Sequence, residues 1–139
     1  MRLSPQEVYE LARRTGFPDA PARLVVAIAQ RESSFDPMAF NPVAPDLSYG
    51  LMQINMYGRL GPARRAAWGL TSNEDLYAPD VNMRAAFSLW NGNDANFRHW
   101  STYAAARSSE LSLPDFAAGA GSVLASSQKK KSGGKVTRS

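Results

Sequence analysis

The chain has 139 residues, 44% hydrophobic and 20% charged, which is ordinary for a single folded domain whose core needs no metal or disulfide. The absence of cysteine excludes a disulfide framework and a thiolate metal site, and the single histidine, His99, argues against a histidine metal cluster or a Ser-His triad. Any catalytic chemistry must therefore come from carboxylates.

The net charge of +4 belongs to the C-terminal end of the chain. Residues 128–139 contain five of the 16 basic residues and no acidic one, which leaves 11 basic and 12 acidic residues in 1–127. We therefore expect no nucleic-acid binding by the folded part. The first seven residues lack the apolar core of a signal peptide, and no apolar run is long enough to span a bilayer, so we expect no membrane span and export by another route.

Two helices are predicted at the N-terminal end. A Ser-Pro-Gln-Glu capping box opens the first helix, over residues 5–15, and a glycine and a proline follow it. The second helix starts between residues 19 and 21 and ends near Ser33. Its apolar residues recur three and four positions apart and mark one buried face: Leu24, Val25, Ile28 and Ala29.

The middle of the chain alternates short elements with breaks. Three prolines in 36–47 predict an irregular loop, and the apolar run 50–54 that follows fits either a short strand or a buried helical turn. A short helix is expected over 63–68. A capping box at 71–74 then predicts another short helix, which stops at Pro79.

Further helices are predicted after Pro79. Asp80 is expected to cap a buried helix over 81–90, and Asp94 to cap a helix that carries Phe97, Trp100 and Tyr103. A weak last helix over 114–127 precedes a Ser-Gly-Gly segment with the composition of a flexible tail.

Glu32 is the carboxylate that stands out by its position. It lies four residues after Ile28 and seven after Val25, on the apolar face of the second helix and at its C-terminal end. Apolar neighbours and the negative end of the helix dipole raise the pKa of such a carboxyl, as a general acid near neutral pH requires. The alternative is an exposed residue at a fraying helix end, paired with Arg31 or Arg23.

Two segments resemble the signature of soluble lytic transglycosylases and goose-type lysozymes. The first is a helix that ends in Glu-Ser-x-Phe at Glu32, and the second is Ser-x-Gly-Leu-Met-Gln from Ser48 to Gln53. A looser similarity, to virion-associated members, continues to the Trp-Ser-x-Tyr segment that ends at Tyr103. The resemblance implies an all-α, lysozyme-like domain with a very small β element near the cleft. We place this domain at 1–108, followed by a C-terminal extension at 109–139 with a basic Gly/Ser/Lys tail.

The resemblance also implies an activity that needs no metal or other cofactor. It is the cleavage of the β-1,4 bond between N-acetylmuramic acid and N-acetylglucosamine in peptidoglycan, with Glu32 as the acid. Glu32 then serves as base for the muramic 6-hydroxyl, which leaves a 1,6-anhydro end. The resemblance and the neighbouring aromatic rings suggest these substrate-binding residues: Ser48, Tyr49, Gly50, Met52, Gln53 and Tyr103.

Each of these binding residues also has a structural interpretation. Met52 fits a core position, Ser48 fits a turn ahead of a glycine, and Tyr49 and Tyr57 fit either stacking on sugar rings or packing. The family's Ala-Tyr-Asn segment, whose tyrosine holds the glutamate, does not occur in this sequence. Tyr103 is the candidate replacement, with packing on Trp100 as the alternative.

Two other functions stay open. A hydrolase needs a second carboxylate, for which Asp36 and Asp46 are candidates, although Asp36 before a proline is better explained as a turn residue. The other is an inactive glycan-binding or structural component of a phage particle. The small size and the apparent lack of a signal peptide favour a phage enzyme carried in the virion and acting in the bacterial periplasm and wall. Its expected partners are peptidoglycan glycan strands, and virion tail or internal core proteins through the basic tail.

Overall fold

The computed structural model describes residues 1–110 and 113–117 of the chain. Within them lie five α-helices, one 3-10 helix and three two-residue strands. The helices are α1 (Pro5–Thr15), α2 (Asp19–Ser33), α3 (Leu60–Trp68), the 3-10 helix (Asn73–Tyr77), α4 (Pro79–Asn91) and α5 (Tyr103–Glu110). The strands are β1 (Phe40–Asn41), β2 (Ser48–Tyr49) and β3 (Ile54–Asn55). The predicted helical domain with a very small β element is confirmed.

The first two helices have the predicted bounds because their signals are local. The Ser4 hydroxyl accepts from the Glu7 amide at 3.1 Å, and the Glu7 carboxylate accepts from the Ser4 amide at 2.7 Å, which completes the capping box. Gly16 ends α1 at a φ of 136°, a conformation that L side chains rarely adopt. In α2 the predicted stripe faces the core, with Val25, Ile28 and Ala29 fully buried.

The three strands form one antiparallel sheet in the order β1-β2-β3. In the central strand, Ser48 pairs with Asn41 on one side and with Asn55 on the other. The apolar run 50–54 is a turn over residues 50–53 that leads into β3, so the short-strand interpretation holds only for its last residue.

Asn82 fastens this turn to α4. Its amide is completely buried, with its oxygen accepting from the Met52 backbone amide at 2.8 Å. Its nitrogen donates to the carbonyl oxygens of Tyr49 at 2.8 Å and Leu76 at 2.9 Å. Gly50 allows this approach, because a Cβ there would clash with the Asn82 side chain and lie 2.6 Å from the Leu76 oxygen.

Two of the predicted caps are wrong by one or two positions. The capping box at the 3-10 helix uses Ser72 and Asp75, because the Asp75 carboxylate reaches the backbone amides of both Thr71 and Ser72, at 2.8 and 3.3 Å. Helix α4 begins at Pro79 after Ala78, since the proline ring favours the first helical position. Asp80 therefore lies inside the first turn, where its carboxylate pairs with Arg84 at 3.3 Å.

The predicted helix after Asp94 is also wrong. Residues 92–95 are turns, with Asp94 and Ala95 at positive φ, and α5 begins only at Tyr103. Phe97 and Trp100 lie in the irregular segment between them. Both side chains are buried among other aromatic rings, so tertiary packing and not helical hydrogen bonding fixes the position of this segment.

The described part of the C-terminal extension packs on α1. The Phe116 ring stacks on Tyr9 with 5.5 Å between centroids, and its carbonyl oxygen accepts from the Gln6 side chain at 3.1 Å. The predicted helix over 114–127 falls largely outside the described residues, and the boundary at residue 108 stays a prediction. Within the described part of the chain, no helix is long and apolar enough to cross a membrane.

We predict that Asn82→Ala destabilises the protein by about 3 kcal/mol, because it removes three hydrogen bonds to buried backbone groups. Denaturant unfolding measures the change in free energy. The matched control is Asn91→Ala, an exposed site at the end of the same helix, which should change stability by less than about 0.5 kcal/mol. Equal stability of the two variants would mean that the amide does not organise the turn.

Candidate active site

Glu32 lies in the last turn of α2, at the C-terminal end of the helix. The sheet and the 50–53 turn approach this end. The helix ends at Ser33, and the next residue, Ser34, adopts a left-handed conformation with φ 53°. The Ser33 hydroxyl donates to the Leu51 carbonyl oxygen at 2.7 Å and to the Ala29 carbonyl oxygen at 3.1 Å. The serine after Glu32 therefore ties the end of α2 to the Gly-Leu-Met-Gln segment.

The Glu32 carboxyl is half-buried and held at one oxygen. Thr102 donates from its hydroxyl to Oε2 of Glu32 at 2.6 Å. Within the residues that the structure describes, the other oxygen, Oε1, has no protein partner. One oxygen is thus fixed in position, and the second is left to carry a proton.

The surroundings of Glu32 raise its pKa above the ordinary value. Burial is the largest cause, since it disfavours the charged form, and the negative charge of Asp46 acts in the same direction. The hydrogen bond from Thr102 lowers the pKa because it favours the carboxylate, but it does not cancel the effect of burial. The sequence-based prediction of a raised pKa agrees with this direction.

Thr102 reaches Glu32 because Trp100 fixes the segment before α5. The buried indole nitrogen of Trp100 donates to the Met52 carbonyl oxygen at 2.7 Å. The Thr102 carbonyl oxygen accepts from the Ala106 amide at 2.9 Å, which makes Thr102 the residue that precedes the first turn of α5. Its hydroxyl is therefore directed toward α2 from the start of a helix that packs on α2.

Tyr103 is not the hydrogen-bond partner of Glu32. Its hydroxyl accepts from Arg107 at 3.3 Å, and its ring packs on Phe97 with centroids 6.0 Å apart. The packing interpretation therefore holds, although the partner is Phe97 and not Trp100. Thr102, one residue earlier, takes the position beside the acid, and the sequence analysis missed it because the start of α5 was placed too early.

Three of the other predicted binding residues have structural roles. Tyr49 is only 5% exposed, and its ring packs between Phe40 and Tyr77, at 5.0 and 5.6 Å, so it is not an open surface for stacking on a sugar. Met52 is fully buried and contributes its backbone groups to the turn. Gly50 provides the close approach to α4 that a Cβ would block.

Ser48 and Gln53 remain candidates for binding substrate. The Ser48 side chain is 4% exposed in the central strand, and its hydroxyl has no side-chain hydrogen bond to any described residue. Gln53 adopts a φ of 51° and donates from its amide to the carbonyl oxygens of Ala39 and Gly50, at 3.1 and 3.0 Å. These bonds use the Gln53 nitrogen and leave its oxygen as an acceptor. Tyr57, 45% exposed, also keeps its stacking role as a prediction.

The two candidate second carboxylates differ in their surroundings. Asp36 accepts from the Met38 amide at 2.9 Å, so it fixes the turn, as the sequence suggested. Asp46 lies before β2, contacts the Asn55 side-chain amide at 3.4 Å and influences Glu32 electrostatically. No group of acidic or histidine side chains suited to a metal ion occurs in 1–110 and 113–117.

A helical domain with a small sheet and a half-buried glutamate at the end of its second helix has the arrangement of lysozyme-like, glycan-cleaving domains. The chain matches the family model described as "Transglycosylase SLT domain" over residues 13–136 and belongs to this family. Its function is therefore of the lytic transglycosylase type, with peptidoglycan as the substrate. Comparisons with curated proteins and with solved structures gave no match.

We predict that Thr102→Val raises the pKa of Glu32 further, because it removes a hydrogen bond that favours the carboxylate. Carbon-13 NMR of the glutamate carboxyls, with Glu32 assigned from the spectrum of Glu32→Gln, measures the titration. Tyr103→Phe is the control and should leave the titration unchanged. A shift in the Tyr103 variant and none in the Thr102 variant would return the positioning role to the tyrosine.

Proposed function

We propose that this protein is a peptidoglycan lytic transglycosylase in which Glu32 acts first as the acid and then as the base. The observation that carries the proposal is the state of its carboxyl group. Oε2 is held by Thr102, Oε1 has no described protein partner, and burial raises the pKa. A carboxylic acid with these properties stays protonated closer to neutral pH than a free glutamate does.

In the first step the proton on Oε1 of Glu32 passes to the glycosidic oxygen. The bond between that oxygen and the anomeric carbon of the muramic acid breaks, and N-acetylglucosamine leaves with the proton as its hydroxyl. Positive charge develops on the muramic ring while Glu32 becomes a carboxylate. Thr102 stabilises this carboxylate, because a hydrogen bond to the charged form is stronger than one to the neutral form.

In the second step the 6-hydroxyl of the same muramic ring attacks the anomeric carbon. Its proton passes to the Glu32 carboxylate, which regenerates the acid, and the ring closes as a 1,6-anhydro sugar. An internal nucleophile that is already in position has a large advantage over free water. This sequence of steps needs one carboxylate, and the only group required of the protein at the reacting atoms is Glu32.

Hydrolysis is the second candidate, and Asp46 is the observation that favours it. Asp36 is committed to a turn, whereas Asp46 lies close enough to influence the pKa of Glu32. A hydrolase would use Asp46 to activate a water on the opposite face of the sugar. We prefer transglycosylation. The effect of Asp46 on the pKa of Glu32 needs only its negative charge and does not require that Asp46 activate a water.

The remaining expectations concern the biological setting. A phage origin, a place in the virion and docking of the basic tail on tail or core proteins of the particle all stay predictions. The inactive, glycan-binding alternative predicts binding to peptidoglycan without cleavage, so the experiments on Glu32 and its products also decide that question.

We predict that Glu32→Gln abolishes cleavage of purified peptidoglycan while the protein stays folded, because the amide keeps the volume but has no proton to transfer. Zymography and the release of soluble fragments measure activity. Matched Glu10→Gln, a half-buried glutamate on α1, should keep the wild-type rate. Near-wild-type activity of the Glu32 variant would refute the proposal.

The same variant has an expected pH signature. Because the pKa of Glu32 is raised in the folded state, wild-type stability falls as pH rises from the unfolded value of 4.5 through the folded value. Glu32→Gln should therefore be at least as stable as wild type at neutral pH, with the difference vanishing below pH 4.5. Wild-type activity should fall as the pH rises through the same raised pKa, because Glu32 then loses the proton that it donates. A rate that stays constant into strongly alkaline solution would contradict this role.

We predict that the released glycan ends carry 1,6-anhydro-muramic acid, which weighs one water less than a hydrolysed end and resists borohydride reduction. Mass analysis of reduced digests separates the two outcomes. Asp46→Asn should keep the anhydro product and move the alkaline limit of activity to lower pH, because it removes a charge that raises the pKa of Glu32. Asp36→Asn is the control and should not move this limit. Mostly reducible ends, lost in Asp46→Asn, would instead establish hydrolysis.

A further inference from the structure

A polar groove lies at the end of the 50–53 turn, between β3, α3 and the segment that precedes α5. Its volume is about 130 Å³, and its polar lining comes from Gln53, Asn55, Arg64 and His99. This space holds a few waters or one small planar group, and it is too small to enclose a sugar ring. The groove is therefore suited to a substituent of a glycan strand and not to the strand itself.

Arg64 supplies the charge of this groove. Its guanidinium is half-buried, donates from Nη1 to the Asn55 carbonyl oxygen at 2.8 Å, and lies 5.7 Å from the centre of the Trp68 ring. No carboxylate among the described residues lies within ion-pair distance of it. Burial lowers the pKa of Arg64, because it disfavours the charged guanidinium. Binding an anion would offset this cost of desolvation.

His99 adds a second donor to the same groove. The pKa of its imidazole is lowered by partial burial and by the nearby charge of Arg64. Arg98 adjoins it in the chain, and Asp46 contacts the Asn55 side chain at 3.4 Å without reaching the ion-pair distance from Arg64. No carboxylate of the described residues lines the groove, so the charge of Arg64 favours a bound anion there.

Two residues connect the groove to the Glu32 site. Gln53 belongs to the turn that Ser33 ties to the end of α2, through the Leu51 carbonyl oxygen. Trp100 lines the groove and fixes the segment that carries Thr102 to Glu32. The groove and the Glu32 site thus share these two segments, which makes the groove a candidate for a second contact with a strand bound at Glu32.

We propose that the Arg64–His99 groove binds a carboxylate of the peptide that is attached to muramic acid. The inference rests on the proposed function, because that function supplies a substrate whose peptide side chains carry carboxylates. Within the described residues, the planar guanidinium has N–H groups without a partner besides the one bonded to Asn55, and it matches a carboxylate in shape and charge. The groove would thus select strands that still carry their peptides.

The test uses the full-length wild-type protein and a muramyl dipeptide with one free carboxylate, compared with the same compound as its carboxamide. Neither contains the bond that the enzyme cleaves. His99 is the single histidine of the chain, so its imidazole signal in NMR is unambiguous. We expect the free carboxylate to raise the pKa of His99 and the carboxamide to leave it unchanged. By calorimetry the carboxylate should bind at least about tenfold more tightly than the carboxamide.

Arg64→Gln should lower the affinity for the carboxylate form about tenfold or more and barely change that for the carboxamide. The matched control is Arg59→Gln, an exposed arginine just before α3, which should bind as the wild type does. If circular dichroism shows that the Arg64 variant is unfolded, His99→Gln gives the calorimetric test, because His99 is exposed and does not hold the turn.

Equal binding of the carboxylate and the carboxamide, or an unchanged His99 titration, would overturn the proposal. Acetate or inorganic phosphate at the same ionic strength, if bound as tightly as the muramyl dipeptide, would also overturn it by showing a general anion site. Zymography of the same wild-type sample separates the two proposals. Cleavage without a His99 response removes the subsite alone, whereas a response without cleavage removes the proposed function and leaves a binding site.

Discussion

Three hydrogen bonds of one buried amide, that of Asn82, fix the turn on which the candidate active site depends. They hold Tyr49, Met52 and Leu76 around α4 where water cannot replace them. From Met52 the connection continues through the Trp100 indole to the segment that brings the Thr102 hydroxyl to Glu32. The Leu51 carbonyl oxygen of the same turn accepts from the Ser33 hydroxyl. The segments on both sides of the site are therefore attached to one turn.

This arrangement connects two different electrostatic environments through one short turn. In the first, burial and the charge of Asp46 favour a neutral Glu32, whereas the hydrogen bond from Thr102 favours its carboxylate form. In the second, Arg64 is half-buried without a described carboxylate partner, and it lines the same groove as His99. A glutamate whose neutral form is favoured and an arginine without a described carboxylate partner are thus connected through the same turn.

The sequence was most informative where structure depends on nearby residues. The bounds of α1 and α2 follow from a capping box, a glycine and an apolar stripe, and the position of Glu32 on that stripe indicated its burial. The motif around Ser48 and Gln53 located the turn beside it, although Tyr49, Met52 and Gly50 in the same segment have structural roles. Asn82 is polar on a largely apolar helix, but its sequence position alone does not show that its amide holds the turn.

The sequence by itself determined the helical class, the family resemblance and the identity of the candidate acid, because these depend on spacing and residue type within short segments. Only the tertiary structure decided that Thr102 rather than Tyr103 holds Glu32, since the two residues are adjacent and the start of α5 selects between them. It also decided that Asp46 acts on Glu32 while Asp36 fixes a turn. The Arg64–His99 groove joins residues 35 positions apart, and no local pattern brings such side chains together. Contacts of this kind are set by how the helices and the small sheet pack.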